Sequence, residues 1–305
     1  MAEPITLASL RTGGKGALAR ALARLEQAPD AEEVISLLSE AYEAPMAQVV
    51  GMTGPPGVGK STLMNALIQG WRARGRRVAC IAVDPSSRRS GGALLGDRTR
   101  LSTDPEDQGI FVRSMAARDR LGGLAGLTVA AMVLMRALYD VVLIETVGVG
   151  QSETDVVGVA DSVVFCVQPG SGDSLQFMKA GIAEIPHVVV VTKADMGAAA
   201  QRARADVKGA LSLAEDPESW DIPVLMVSSM QKQGIDDLVA AIDSHRDYLL
   251  STKRLAATRQ AQAGQWLVES VRERFGREGV RRAGDLTLRA GETPFRRLAE
   301  VAKRL

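Results

Sequence analysis

The run Gly51-Met52-Thr53-Gly54-Pro55-Pro56-Gly57-Val58-Gly59-Lys60-Ser61-Thr62 restricts what this chain can fold into more than any other stretch. From Gly54 it satisfies G-x-x-x-x-G-K-[ST] at every fixed position. The glycines let a backbone wrap a phosphate chain with its N–H groups pointing inward. Lys60 can bridge the β- and γ-phosphates, and the Ser61 hydroxyl can ligate Mg²⁺. Gln48 to Met52 reads as a short strand entering the loop. Leu63 to Ile68 reads as a helix whose N-terminus faces the phosphates. An ordinary glycine-rich turn is the plain alternative, but it does not need a strand before it and a helix after it. Gly54, Pro55, Pro56, Gly57, Val58, Gly59, Lys60, Ser61 and Thr62 are therefore expected to bind a nucleoside triphosphate.

A chain of 305 residues has room for one large or two smaller domains. Its formal net charge of +1 argues against a general nucleic-acid binder, which is usually strongly basic. Cys80 and Cys166 both sit in apolar strand-like runs and read as core thiols, not as a disulfide or metal pair. The first thirty residues show no basic start followed by an apolar stretch, so no signal peptide is read. The longest uncharged apolar run, Leu121 to Met135, is shorter than the ~18 residues of a spanning helix. A cytoplasmic protein without membrane or nucleic-acid partners is expected.

Residues 1–45 read as helical, with Leu18, Leu22 and Leu25 on one face, followed by Val34, Ile35, Leu37 and Leu38. Pro29-Asp30 should break the first helix and cap the second. From about Gln48 to Asp243, strands and helices alternate in the manner of a parallel sheet wrapped on both faces. Six strands are placed: Val49–Met52, Val78–Val83, Val141–Ile144, Val163–Val167, Val188–Val191 and Val224–Val227. They are runs of β-branched residues without strict alternation, as burial on both faces requires.

Ligands of such sheets bind beyond the carboxyl ends of the strands, so the residues just after each strand carry the chemistry. Asp84 opens a loop that continues through Gly91, Gly92 and Asp97 and offers carboxylates, hydroxyls and glycines to Mg²⁺ and the γ-phosphate. Glu145 follows the third of these strands, where an acid would hold the metal or its waters. Gly148 behind it could hydrogen-bond the γ-phosphate through its N–H. A solvated loop charge or a helix cap is the alternative for each acid. Ser61, Asp84, Asp97 and Glu145 form the expected metal set.

Thr192-Lys193-Ala194-Asp195 follows the fifth placed strand and is a variant of the N-K-x-D box. A carboxylate at Asp195 can accept from guanine N1–H and its 2-amino group, a donor pair that adenine lacks. Lys193 can lay its methylenes along the base. Thr192 stands where the box has Asn, and a hydroxyl cannot supply both the donor and the acceptor of an amide. After the sixth strand, Ser228-Ser229-Met230 fits a loop whose backbone N–H meets guanine O6.

These residues together resemble the MeaB-type GTPases, G-protein chaperones of adenosylcobalamin-dependent acyl-CoA mutases. The likeness rests on Asp84 to Ser87, Gly91-Gly92, Leu95 to Arg98, Arg113 to Met115, Leu121 to Leu124 and the run Glu145-Thr146-Val147-Gly148-Val149-Gly150-Gln151-Ser152-Glu153. It implies an α/β fold, a parallel-sheet P-loop G domain of the SIMIBI class with N- and C-terminal helical extensions. The implied boundaries are 1–45 for the helical extension, 46–245 for the GTPase domain and 246–305 for a dimerisation arm. It also implies GTP hydrolysis with Mg²⁺ that gates loading, protection and reactivation of the mutase, with no cobalamin held by this chain. Lys60, Asp84, Glu145 and Gln151 are the expected catalytic residues, with Asp84 or Gln151 orienting water. The loop Gln168 to Gln176 is similar to the family's extra switch loop, which assigns partner coupling to Gln168, Asp173, Gln176 and Lys179. Ala180 stands where family members often carry a second lysine, and Gly13 to Gly16 replace a more charged stretch.

The tail from His245 holds 14 basic against 7 acidic residues, an excess read as a solvated face. Ala263, Trp266, Leu267, Val271 and Phe275 form one helical stripe; Phe295, Leu298, Ala302 and Leu305 form another. So small an appendage is not expected to hide both within itself; the GTPase domain or a second subunit must cover them, and the resemblance favours the second subunit. Two other functions remain open. A nickel-insertion GTPase of the same fold class would need His/Cys clusters, which two cysteines and His187 and His245 do not supply. A P-loop kinase acting on a small molecule is disfavoured by the Thr192–Asp195 box.

Overall fold

Strand residues that are apolar toward both faces demand cover on both sides, and only a sheet between helical layers provides it. The structure, a computed structural model, describes residues 5–84, 101, 103–116, 126–146, 156–170, 185–212 and 220–305. Seven strands form one sheet: β1 (Gln48–Thr53), β2 (Val78–Asp84), β3 (Ile110–Ala116), β4 (Val141–Glu145), β5 (Ser162–Val167), β6 (Val188–Val191) and β7 (Val224–Met226). Their spatial order is β3-β2-β4-β1-β5-β6-β7, and every pairing is parallel. The expected parallel α/β architecture is present.

The period of two sorts the side chains between the layers. Val164, Cys166, Val188 and Val190 face a cluster with Leu63, Leu67, Trp71, Leu238 and Ile242. These come from α3 (Lys60–Ala73) and α6 (Ile235–Ser251). Phe165, Val167, Val189 and Val191 face the opposite cluster with Ala200, Val207 and Leu211 of α5 (Ala198–Leu211). Cys80 and Cys166 are free and buried, and burial pushes the Cys166 thiol up to about 12. Both are inert core residues.

β3 is not among the six expected strands. It is an edge strand with the polar Arg113 and Ser114 in its middle, and a search for unbroken β-branched runs passes over it. The other six coincide with the predicted runs to within a residue or two.

Contacts divide the chain into two units, Gln48–Leu124 with Val141–Leu255, and Met1–Ala47 with Ala125–Asp140 and Ala256–Leu305. The second unit is helical. It holds α1 (Leu7–Gln27), α2 (Glu32–Glu43), α4 (Gly126–Arg136), nearly all of α7 (Arg254–Ala283) and α8 (Pro294–Ala302). Leu18, Leu22 and Leu25 of α1 are buried, as their spacing predicts. Asp30 does not cap α2, whose cap residue Ala31 makes no side-chain bond; its carboxylate accepts from Arg274 Nη1 at 2.6 Å instead.

The two tail stripes require a correction. Leu267 and Val271 of one share a buried cluster with Leu298 of the other and with Leu286, Leu288 and Val301, and Tyr42 of α2 packs against it. Thr293 caps α8 and exchanges a 2.9 Å hydrogen bond with Ser39 of α2, while Phe295 meets the Tyr42 ring edge-on. Ala263, Leu267, Val271, Phe295 and Leu298 are therefore buried within one chain, while Trp266, Phe275, Ala302 and Leu305 are partly buried. The tail is not a separate appendage, because α2 supplies part of its wall.

Candidate nucleotide site

Because all seven strands run parallel, their carboxyl ends share one edge. β1 lies between β4 and β5, where the chain order reverses, which is where a crevice opens in such sheets. The loop after β1 uses its glycines in two ways. Gly54 has φ 136°, and a Cβ there would lie 2.4 Å from the Cys166 carbonyl oxygen of β5, so only glycine lets the loop leave the sheet here. Gly59, at φ 100°, is the N-cap of α3 and starts the helix directly behind the loop. The Lys60 ammonium is buried and donates to the Gly54 and Pro55 carbonyls at 2.7 and 3.2 Å, which turns it into the loop.

The register of β1 and β4 pairs Met52 with Glu145, which brings the acid to the start of the loop. Ser61 Oγ donates to Glu145 Oε1 at 2.8 Å. A hydroxyl and a carboxylate in contact at a helix N-terminus are hard oxygen donors suited to Mg²⁺ beside phosphate. Asp84 ends β2, two residues beyond Ala82, the partner of Glu145 across the strands. Asp97, Gly148, Gln151, Asp173, Gln176 and Lys179 lie outside the described residues.

On the base side the Thr192 hydroxyl is directed at the Val58 carbonyl at 2.8 Å and the Val167 carbonyl at 3.1 Å. A short β-branched side chain thus ties this box to the phosphate loop and to the end of β5, which is the bracing that the missing amide puts in question. Lys193 Nζ donates to Gln168 Oε1 at 2.7 Å and to the Gly57 carbonyl at 3.3 Å. Ser228 Oγ donates to Asp195 Oδ1 at 2.6 Å. That bond, then the backbone N–H of Asp195 and the Lys193 ammonium, holds the Asp195 carboxyl below the usual carboxylate range.

Two details differ from expectation. Asp195 is exposed, not buried. The Ser228 N–H donates to the Gln233 carbonyl at 3.1 Å and is engaged within its own loop. Ser228 contributes its side chain instead, orienting Asp195. A serine directly after a strand is too common a loop residue to announce such a role.

A family model described as methylmalonyl-CoA mutase-associated GTPase MeaB matches residues 18–282. A Pyrococcus abyssi protein that carries a GTPase name is 41% identical over 261 residues, 82% of this chain and 78% of its own. The mouse protein named methylmalonic aciduria type A homolog, mitochondrial, is 36% identical over 277 residues, 90% of this chain and 66% of its own. Among solved structures, the crystal structure of an LAO/AO transport system kinase superposes with a TM-score of 0.69 at 28% identity, covering 97% of this chain and 96% of that one. The phosphate loop, the acid beside it and the Thr192–Asp195 box therefore sit in a chain matched along most of its length, and the chain belongs to the MeaB family of methylmalonyl-CoA mutase-associated GTPases.

Proposed function

We propose that this GTPase uses Mg²⁺-dependent hydrolysis to gate cofactor loading into an adenosylcobalamin-dependent acyl-CoA mutase, and to protect and reactivate that enzyme. The family match over residues 18–282 supports the mutase partner. The observation that carries the hydrolytic site is the 2.8 Å contact between Ser61 and Glu145, which joins the phosphate loop to the acid strand. Ser61 and Glu145 would hold Mg²⁺, with Asp84 and Asp97 contributing directly or through water, and the ion would neutralise charge on the phosphates. Lys60, already turned into the loop, stabilises charge developing between the β- and γ-phosphates. Asp195 and Lys193 select guanine, and Asp84 or Gln151 orients the attacking water. Gly148 contacts the γ-phosphate, while Gln168, Asp173, Gln176 and Lys179 couple its loss to the mutase. Cobalamin stays on the mutase, and the protein works in the cytoplasm.

Homodimerisation belongs to the same proposal and rests on the family resemblance. The tail stripes give it little support, since one chain buries most of them. The nickel-insertion reading is weaker still. Cys80, Cys166 and His245 are buried, and His187 is half-buried beside His245.

The test is steady-state GTP turnover with and without each candidate acyl-CoA mutase, beside co-purification from native extract. Stimulation by one mutase, blunted in Lys179→Ala, is the expected result. Unchanged turnover with every acyl-CoA mutase would remove the partner while leaving the GTPase in place. Light scattering of the full-length chain decides the dimer: a monomer at micromolar concentration would overturn it.

A further inference from the structure

We infer that Gln168 is a positioning residue for the base-side lysine, holding the Lys193 ammonium and so slowing nucleotide release. This rests on the guanine-nucleotide reading of the site and adds a residue outside the phosphate and base motifs.

The juxtaposition follows from the sheet. The N–H of Thr192 donates to the Val167 carbonyl at 2.8 Å, and the Thr192 hydroxyl is directed at that same oxygen. The residues just beyond, Gln168 and Lys193, are thereby placed side by side at the ends of β5 and β6. Pro169 is buried and restricts the backbone of Gln168 before it to extended conformations. Lys193 is one of three non-glycine residues with positive φ among the described residues, at φ 54° and ψ 43°. Such a conformation persists only where neighbours over-determine it. Here the Ala194 N–H donates to the Val227 carbonyl and the Met196 N–H to the Lys193 carbonyl.

The backbone at Lys193 is thus fixed, while its four-carbon stem has free rotamers unless the ammonium is tied. Of its two acceptors, Gln168 Oε1 at 2.7 Å is much closer than the Gly57 carbonyl at 3.3 Å. The stronger tether is therefore the glutamine. Lys193 is exposed and Gln168 is only half-buried, so a bond between them adds little to folding. Its effect falls on the lysine's readiness to lie against a purine. Without Gln168, ordering that side chain becomes a cost of binding.

The experiment follows release of a fluorescent GDP from the full-length protein during a chase with unlabelled GDP. Gln168→Ala should accelerate release about five- to tenfold, the worth of one charge-assisted hydrogen bond at an open site. Gln168→Glu keeps an acceptor oxygen and should restore release to the original rate or slower, with melting temperature unchanged in both variants. Lys193→Ala and the double variant should release at the same rate as each other, because the glutamine acts only through the lysine. Unchanged release in Gln168→Ala, or additive effects in the double variant, would overturn the inference while leaving guanine binding intact. Failure of the unmodified protein to bind the probe would overturn the guanine reading together with it.

Discussion

At the amino edge of β5 and β6, His187 and His245 lie with ring centroids 4.2 Å apart, walled by Trp220 and Tyr248. At the carboxyl edge of the same two strands stand Gln168, Thr192, Lys193 and Asp195. Polar groups at the amino edge mostly pair with one another, with Gln48 Oε1 buried and unpaired. Val163 N donates to His187 Nδ1 at 2.9 Å, Ser162 Oγ and His245 Nδ1 share a bond of 2.7 Å, and Gln48 Nε2 donates to Ser162 Oγ at 3.0 Å. Val49 N donates to Asp161 Oδ2 at 2.7 Å. At the carboxyl edge Asp195 and Lys193 are exposed, each with one anchoring side-chain partner and capacity for more. The contrast separates structure from function within one sheet. A titratable group sealed among its neighbours maintains the fold, and one that is oriented but left open is available to a ligand.

Four measurements press on that contrast. The largest effect should come from Lys60→Ala, which removes the ammonium from the phosphate loop. GTP turnover should fall about 10³-fold, as loss of a preorganised charge at a transferring phosphoryl group predicts. Turnover within a few-fold of the original would show that the open edge is not catalytic. Asp195→Asn should weaken GTP binding about 10²-fold in a titration, because one acceptor of the guanine donor pair becomes a donor. Should the unmodified protein bind ATP and GTP equally, the base-side half of the comparison fails.

The amino edge makes its own prediction through pH. Burial is the main cause that lowers His187 to about 4 and His245 to about 3, from an ordinary 6.5. The backbone N–H already directed at His187 Nδ1 also leaves that nitrogen no place for a proton. Between about pH 6.5 and those values the unfolded chain binds protons that the folded chain does not, so stability falls as pH falls. Each histidine should cost about 2 kcal/mol between neutrality and pH 5. Denaturant unfolding at pH 7 and pH 5 measures this. A flat profile would mean that the histidines are not sealed. The smallest effect is expected from Thr192→Val, which keeps the shape and removes the hydroxyl that reaches Val58 and Val167. A loss of about 1 kcal/mol in stability, with nucleotide affinity down about fivefold, is expected. No change in either would mean that the strand ends hold the phosphate loop without it.

The P-loop, the acid at the end of β4 and the Thr192–Asp195 box are all legible in the chain, and so is the parallel sheet that carries them. Each is a local feature: a loop that needs glycine, a strand that needs β-branched residues, or a charge placed where a strand stops. The contacts that turn those residues into a site join positions far apart in the chain. Ser61 meets Glu145, Thr192 reaches Val58, and Lys193 meets Gln168 only because the strand order sets β1 between β4 and β5 and pairs β5 with β6. Strand order does not follow from hydrophobic pattern, since every central strand reads alike. β3 escapes for a related reason: an edge strand tolerates Arg113 and Ser114, and its pairing with β2 is decided by register instead of composition. The tail shows the same limit in the helical unit. Periodicity identified its two apolar stripes, but Tyr42 and Ser39, some 250 residues earlier in the chain, supply part of the wall they pack against. Burial is a property of partners, and partners brought together across such separations are chosen only when the chain folds.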